Sequence, residues 1–147
     1  EAYEATNKDR VDENKVPLAN ADGIKAGKAL FEANCVACHL KDGGGSVGPN
    51  LTDDYWIHKG SLNDIYKTIK NGYPDKGMQS WSSTFSEKEI SFLASYVKSL
   101  RGTKPLVAKA QQGEFYVDAP AAADSAGIVK PDSLKVAKPD SAATIKK

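Results

Sequence analysis

An all-α domain is the fold class this sequence predicts, and three observations carry it. Apolar residues recur at helical spacing over three separate stretches. Each stretch opens on a capping Ser or Asp, and glycines stand beyond the second and third. The segments between them are rich in Gly, Pro and Ser, the residues of loops and turns.

Residues 1–21 are polar and charged, with Pro17 near their end and at most a short exposed helix over 2–10, so they read as an N-terminal extension or linker. The pattern changes at Asp22, placed as a cap. Ile24, Gly27, Leu30, Phe31 and Asn34 then share one helical face, and this first helix is expected to end at Cys35. Residues 41–48 hold four glycines, which favours an irregular loop able to pass close to another group. Ser61 with Asp64 resembles a capping box with Asp in place of Glu. Behind it Leu62, Ile65, Tyr66 and Ile69 form the stripe of a second helix that Gly72 closes. Residues 73–83 carry Pro74, Gly77 and three serines and read as a loop spread over something else. Ser86 and Glu89 make a full capping box, and Ile90, Leu93, Ala94, Val97 and Leu100 predict a third helix that stops before Gly102 and Pro105.

The helical domain thus spans 22–103, and 104–147 is a C-terminal extension. From about residue 119 it is low in complexity, with Lys130-Pro131-Asp132-Ser133 repeated at Lys138-Pro139-Asp140-Ser141. So few large apolar groups cannot offset the entropy of ordering, and 119–147 read as a tail. Phe115, Tyr116 and Val117 interrupt this as a β-prone cluster suited to docking the tail on the core.

With 147 residues the chain is about one domain long. Its formal charge of +1 gives no reason to expect a nucleic-acid partner or a membrane surface. There is no apolar run of spanning length, and the sequence opens on Glu1 without a leader pattern, so any anchor is absent, removed or outside this chain. Two cysteines exclude a disulfide scaffold and leave a redox pair, half a metal site or haem attachment.

Cys35-Val36-Ala37-Cys38-His39 has the haem-attachment spacing. Two thiols two residues apart can add to the two vinyl groups of a haem, and the next residue then lies under the iron, so His39 becomes the proximal ligand. Two other readings fit less well. A thioredoxin-like pair would sit between a strand and a helix, whereas here a helix precedes and glycines follow. A zinc site from Cys35, Cys38, His39 and His58 asks adjacent side chains to reach one tetrahedral ion.

The second axial ligand has few candidates. Met78 is the sole methionine and lies after Gly77 in the unstructured loop. Elsewhere a single Met is usually a core filler. His58 is its rival, expected instead to bond a haem propionate or face water. Trp56, Trp81, Tyr55 and Tyr73 are expected to wall the pocket, with indole N–H groups available to propionates. Pro49 is the residue whose carbonyl is expected to accept the His39 Nδ1 proton.

CVACH, GPNLTDDYWIHKGS, KTIKNGYPDKGMQSW and the closing ASYVKSL, with the flanks VDENKV and KAQQGEFYV, together resemble the C-terminal cytochrome c domain of the haem-c-bearing P subunit (subunit III) of cbb-type cytochrome c oxidases. The resemblance covers about residues 11–118. It implies a class I cytochrome c fold, three or more helices around one covalently bound haem c, with His39 and Met78 on the iron. It further implies single-electron, outer-sphere transfer from a donor cytochrome or quinol-oxidising complex towards the oxidase's catalytic subunit, at the periplasmic face. Such subunits usually carry a membrane helix and often two haem domains. This chain has one CxxCH and no spanning segment, which leaves an excised domain or a free periplasmic shuttle cytochrome as readings. An enzymatic alternative, a haem peroxidase or gas sensor, needs an open sixth position and turns on Met78. Lys41, Lys59 and Lys76 are expected to ring the exposed haem edge and steer an acidic partner.

Overall fold

The computed structural model describes residues 7–118. Four α-helices lie in chain order: α1 (Ala21–Asn34), α2 (Val36–His39), α3 (Leu62–Asn71) and α4 (Glu87–Ser99). One antiparallel pair of two-residue strands joins β1 (Tyr55–Trp56) to β2 (Glu114–Phe115), with Tyr55 opposite Phe115 and Trp56 opposite Glu114. Among the described residues no helix is long and apolar enough to cross a membrane.

The cap of α1 is Asn20, not Asp22: the extended Asn20 accepts the Gly23 N–H, while Asp22 sits inside the first turn. There its carboxylate still faces the positive end of the helix. Phe31 points into the core and Gly27 marks the crossing with α4. A Cβ on Gly27 would lie 2.1 Å from the Phe92 carbonyl oxygen, so the two backbones touch where any side chain would hold them apart. Helix α3 begins with half a capping box. Ser61 accepts the Asp64 N–H, but the Asp64 carboxylate takes the Ser61 hydroxyl, since Asp is one methylene shorter than the Glu of a full box. The box of α4 is complete, with Ser86 and Glu89 each satisfying the other's backbone.

Helices α1 and α3 both pack on α4 around Phe31, Tyr66, Ile90, Leu93 and Ala94, all at most 1 % exposed. The flanking segments add to this core. Val16 is buried and its N–H donates to Asn63 Oδ1, while the Val11 N–H donates to Glu87 and the Ala19 N–H to the fully buried Ser95 hydroxyl. Residues 7–9 form a single 3-10 turn.

On the other side, the cluster at 115–117 docks through Tyr116. Its N–H donates to the Asp54 carbonyl, its carbonyl accepts from Arg101, and its ring lies 5.0 Å from Lys98 Nζ. Phe115 stays about half exposed, edge-on to Tyr55, and Val117 faces solvent. The low-complexity tail lies outside the described residues.

Candidate haem site

The CVACH segment is itself helical. After α1 ends at Asn34, α2 adds one turn, with the Cys38 and His39 N–H groups donating to the Cys35 carbonyl, and Leu40 then turns the chain at φ 67°. Both thiols are half-buried, and burial, then the neighbouring Cys38, pushes the Cys35 thiol up to about 11. A thiol that holds its proton this firmly is a poor attacking group for disulfide exchange at neutral pH.

The glycine loop folds back under His39. Gly45 N–H donates to the His39 carbonyl, and Ser46 and Gly48 N–H groups donate to that of Cys38. Gly48 lies against the imidazole face, where a Cβ would stand 2.6 Å from Cε1. His39 Nδ1 is 3.0 Å from the Pro49 carbonyl oxygen. A carbonyl can only accept, so Nδ1 carries the proton and Nε2 keeps its lone pair for a metal. Burial lowers the imidazole pKa most; the Pro49 bond opposes this, and the charge of Lys109 adds to the lowering. Neutral imidazole is the form that ligates.

The Met78 loop is held differently. Tyr73 and Met78 exchange both backbone hydrogen bonds, at 2.7 and 3.1 Å, across a 3-10 turn at Pro74–Lys76, and Gly77 completes the reversal at φ 91°. Met78 is half-buried against the core. Beyond it, Trp81 N–H donates to the Ile69 carbonyl and its ring stacks on Phe85.

His58 stacks on Tyr73 with centroids 3.5 Å apart and planes within 3°. Burial, then Lys76, lowers its pKa. Trp56 is buried, yet its indole N–H finds no acceptor among the described residues. An orphaned buried donor is costly unless something else accepts from it. A haem propionate is such an acceptor, and with a free Nε2 and two adjacent thiols the site fits the group. Zinc lacks the equivalent: among the described residues no three His, Cys, Asp or Glu side chains gather to hold an ion. Tyr55 faces Phe115.

The family profile "Cytochrome C oxidase, cbb3-type, subunit III" matches residues 22–97. The chain belongs to that family. Within it, the cbb3-type cytochrome c oxidase subunit FixP of Azorhizobium caulinodans is 42% identical over 96 residues, 60% of this chain and 31% of that protein. Subunit CcoP of Azospirillum brasilense is 33% identical over 130 residues, 80% of this chain and 43% of its own length. The chain therefore spans about a third to two-fifths of these curated relatives. Cytochrome cL of Methylophaga aminisulfidivorans superposes with a TM-score of 0.52 at 28% identity over 56% of each chain. A chain of the reducing HAO-like complex of Kuenenia stuttgartiensis gives 0.55 at 25% identity, over 62% of this chain and 49% of that one. The fold is the class I cytochrome c fold, and haem c is the cofactor of that family.

Sequence reasoning missed two members of this cbb3-family site. Asn50 is buried, with Oδ1 accepting from the Thr52 N–H and hydroxyl and Nδ2 donating to the Lys109 carbonyl. Lys109 opens the flank KAQQGEFYV that shares the resemblance, but it lies in the segment whose composition marks it as an extension, and its part in the loop was not read.

Proposed function

We propose that the chain is a monohaem electron-carrier domain that delivers electrons to the catalytic subunit of a cbb-type haem-copper oxidase. Its haem is thioether-linked through Cys35 and Cys38, and His39 and Met78 are the axial ligands. The observation that carries this reading is the His39 geometry, in which the Pro49 carbonyl fixes Nδ1 and leaves Nε2 free directly after two thiols of haem-attachment spacing. The working unit runs from about residue 11 to 117, wider than 22–103, because the segments on both sides contribute core and loop contacts.

Bound haem c supplies a ferric/ferrous couple, so one electron enters and leaves without any substrate bond being made. The chain's own residues set its terms. Pro49 orients the imidazole. Trp56 offers its indole N–H to a propionate, and Trp81 with Phe85 forms an apolar wall beside the Met78 loop. A thioether ligand favours the ferrous state relative to a second imidazole. His58 is read as a partner of Tyr73 rather than a ligand, because its ring is already stacked there. The donor is a cytochrome or quinol-oxidising complex, and the domain works at the periplasmic face.

Visible spectroscopy of the ferric and dithionite-reduced protein tests this. The expected result is a low-spin haem c spectrum with a weak sulfur-to-iron band in the red that Met78→Ala abolishes. A parent protein without that band, binding carbon monoxide readily when reduced, would instead give the peroxidase or gas-sensor reading. Absence of haem after expression with the attachment machinery would end the proposal.

A further inference from the structure

Residues 104–111 form a strap across the glycine loop that faces His39. Leu106 N–H donates to Asp42 Oδ2 at 3.0 Å, and Asp42 Oδ1 accepts the Gly44 N–H. Gly44 lies directly under the strap, where a Cβ would come within 2.2 Å of the Val107 carbonyl oxygen. Lys109 makes the remaining ties. Its N–H donates to the Gly44 carbonyl at 2.8 Å and its own carbonyl accepts from Asn50 Nδ2 at 3.2 Å. Its ammonium reaches the carbonyls of Val47 and Gly48 at 3.3 and 3.5 Å.

These contacts fall on Gly48 and on the neighbours of the other residues that set the imidazole. Gly48 covers the ring face, Pro49 accepts its proton, and Gly45, Ser46 and Gly48 tie the loop to the carbonyls of Cys38 and His39. A loop with glycines at 43, 44, 45 and 48 has little backbone stiffness of its own. Beside its local bonds to the ligand turn, the loop is held by the strap, which reaches it from some sixty residues along the chain.

We propose that Lys109 is a positioning residue for His39: anchored by the strap, its ammonium pins the carbonyls of Val47 and Gly48 so that the next carbonyl, Pro49, stays on Nδ1. The inference rests on the reading of His39 as the iron ligand and extends it to a residue outside the helical core. An ammonium donating to carbonyls makes a charge-assisted bond, stronger than a neutral one.

Hydrogen exchange by NMR on the reduced 147-residue protein tests the proposal, with Lys109→Met and Lys109→Arg beside the parent. Lys109→Met is expected to speed exchange of the Gly45, Ser46 and Gly48 amides and of the His39 Nδ1 proton about tenfold, the signature of a local opening. Amides of Phe31 and Leu93 in the core should keep their rates. Lys109→Arg should restore most of the protection, since it keeps a cationic donor. Loop rates that stay at the parental value in Lys109→Met would overturn the proposal, and so would equal acceleration in both variants. The spectrum of the same sample reports the haem independently of the amide rates. Failure of the haem reading would therefore show in the spectrum, and failure of this one in the rates.

Discussion

The two segments that supply the proposed iron ligands are built on opposite plans. The His39 side is enclosed: the turn carrying the ligand, the glycine loop beneath it and the strap behind are joined by hydrogen bonds from several parts of the chain. The Met78 side is a hairpin-like turn held mostly by its own backbone bonds, the Tyr73–Met78 pair and two more inside the turn, with the more than one-third exposed Tyr73 stacked on His58 and the chain beyond Met78 tied back to α3 through Ser80 and Trp81. Local stability follows the density of such ties. The contrast implies that the imidazole is fixed before any partner arrives, and that the thioether is the ligand that yields first.

The same substitution on each side should break the comparison open, and the larger effect belongs to Gly48→Ala. A Cβ there meets three imidazole atoms within 2.9 Å, so the ring or the loop must move. Overpacking of this kind costs about 1–3 kcal/mol. Urea unfolding should show a loss of that size, and haem absorbance per mole of protein should fall as well. Unchanged stability and haem content would mean that the ring is not confined as the structure has it.

Gly77→Ala is the counterpart. Nothing lies within 4 Å of a Cβ at this position, so sterics within the fold are silent and only the left-handed backbone, φ 91°, resists. A non-glycine residue in that conformation costs about 1–2 kcal/mol. Haem content should stay at the parental level, while carbon monoxide should bind the reduced protein faster as Met78 dissociates more readily. If carbon monoxide binding is unaltered, the Met78 turn is not the weaker joint.

The same division governs what could be read from the sequence. The capping boxes and apolar stripes gave the helices because both signals are local: Ser86 needs only Glu89, and Leu93 only its neighbours at helical spacing. The CVACH turn, and the Pro49 carbonyl as the expected acceptor, were legible for a similar reason, lying within fifteen residues of one another. The cap at Asn20 was missed because Asp22 is an equally good capping type, and only backbone geometry separates the two. Val16 and Lys109 were hidden more deeply. Both lie in the flanks VDENKV and KAQQGEFYV that share the family resemblance, but neither flank has periodicity, and each residue acquires its place from a partner far along the chain, Asn63 for one and the Gly44–Asn50 loop for the other. Tertiary contacts of that kind leave no local pattern. The orphaned indole N–H of Trp56 is also a fact of packing, although its residue type suggested the role.

The smallest effect concerns charge at the surface between these regions. Lys41 is 78% exposed and pairs with Glu32 at 3.4 Å; such a pair contributes about 0–1 kcal/mol, and part of its field is already cancelled. Replacing Lys41, Lys59 and Lys76 together by Gln should therefore leave urea stability within about 0.5 kcal/mol of the parent. Steering acts at longer range, through summed fields that salt screens within about 10 Å. If the three lysines guide an acidic redox partner, stopped-flow association should slow several-fold at low ionic strength and converge with the parent at high salt. Equal rates at low salt would reduce the three to ordinary solvated charges.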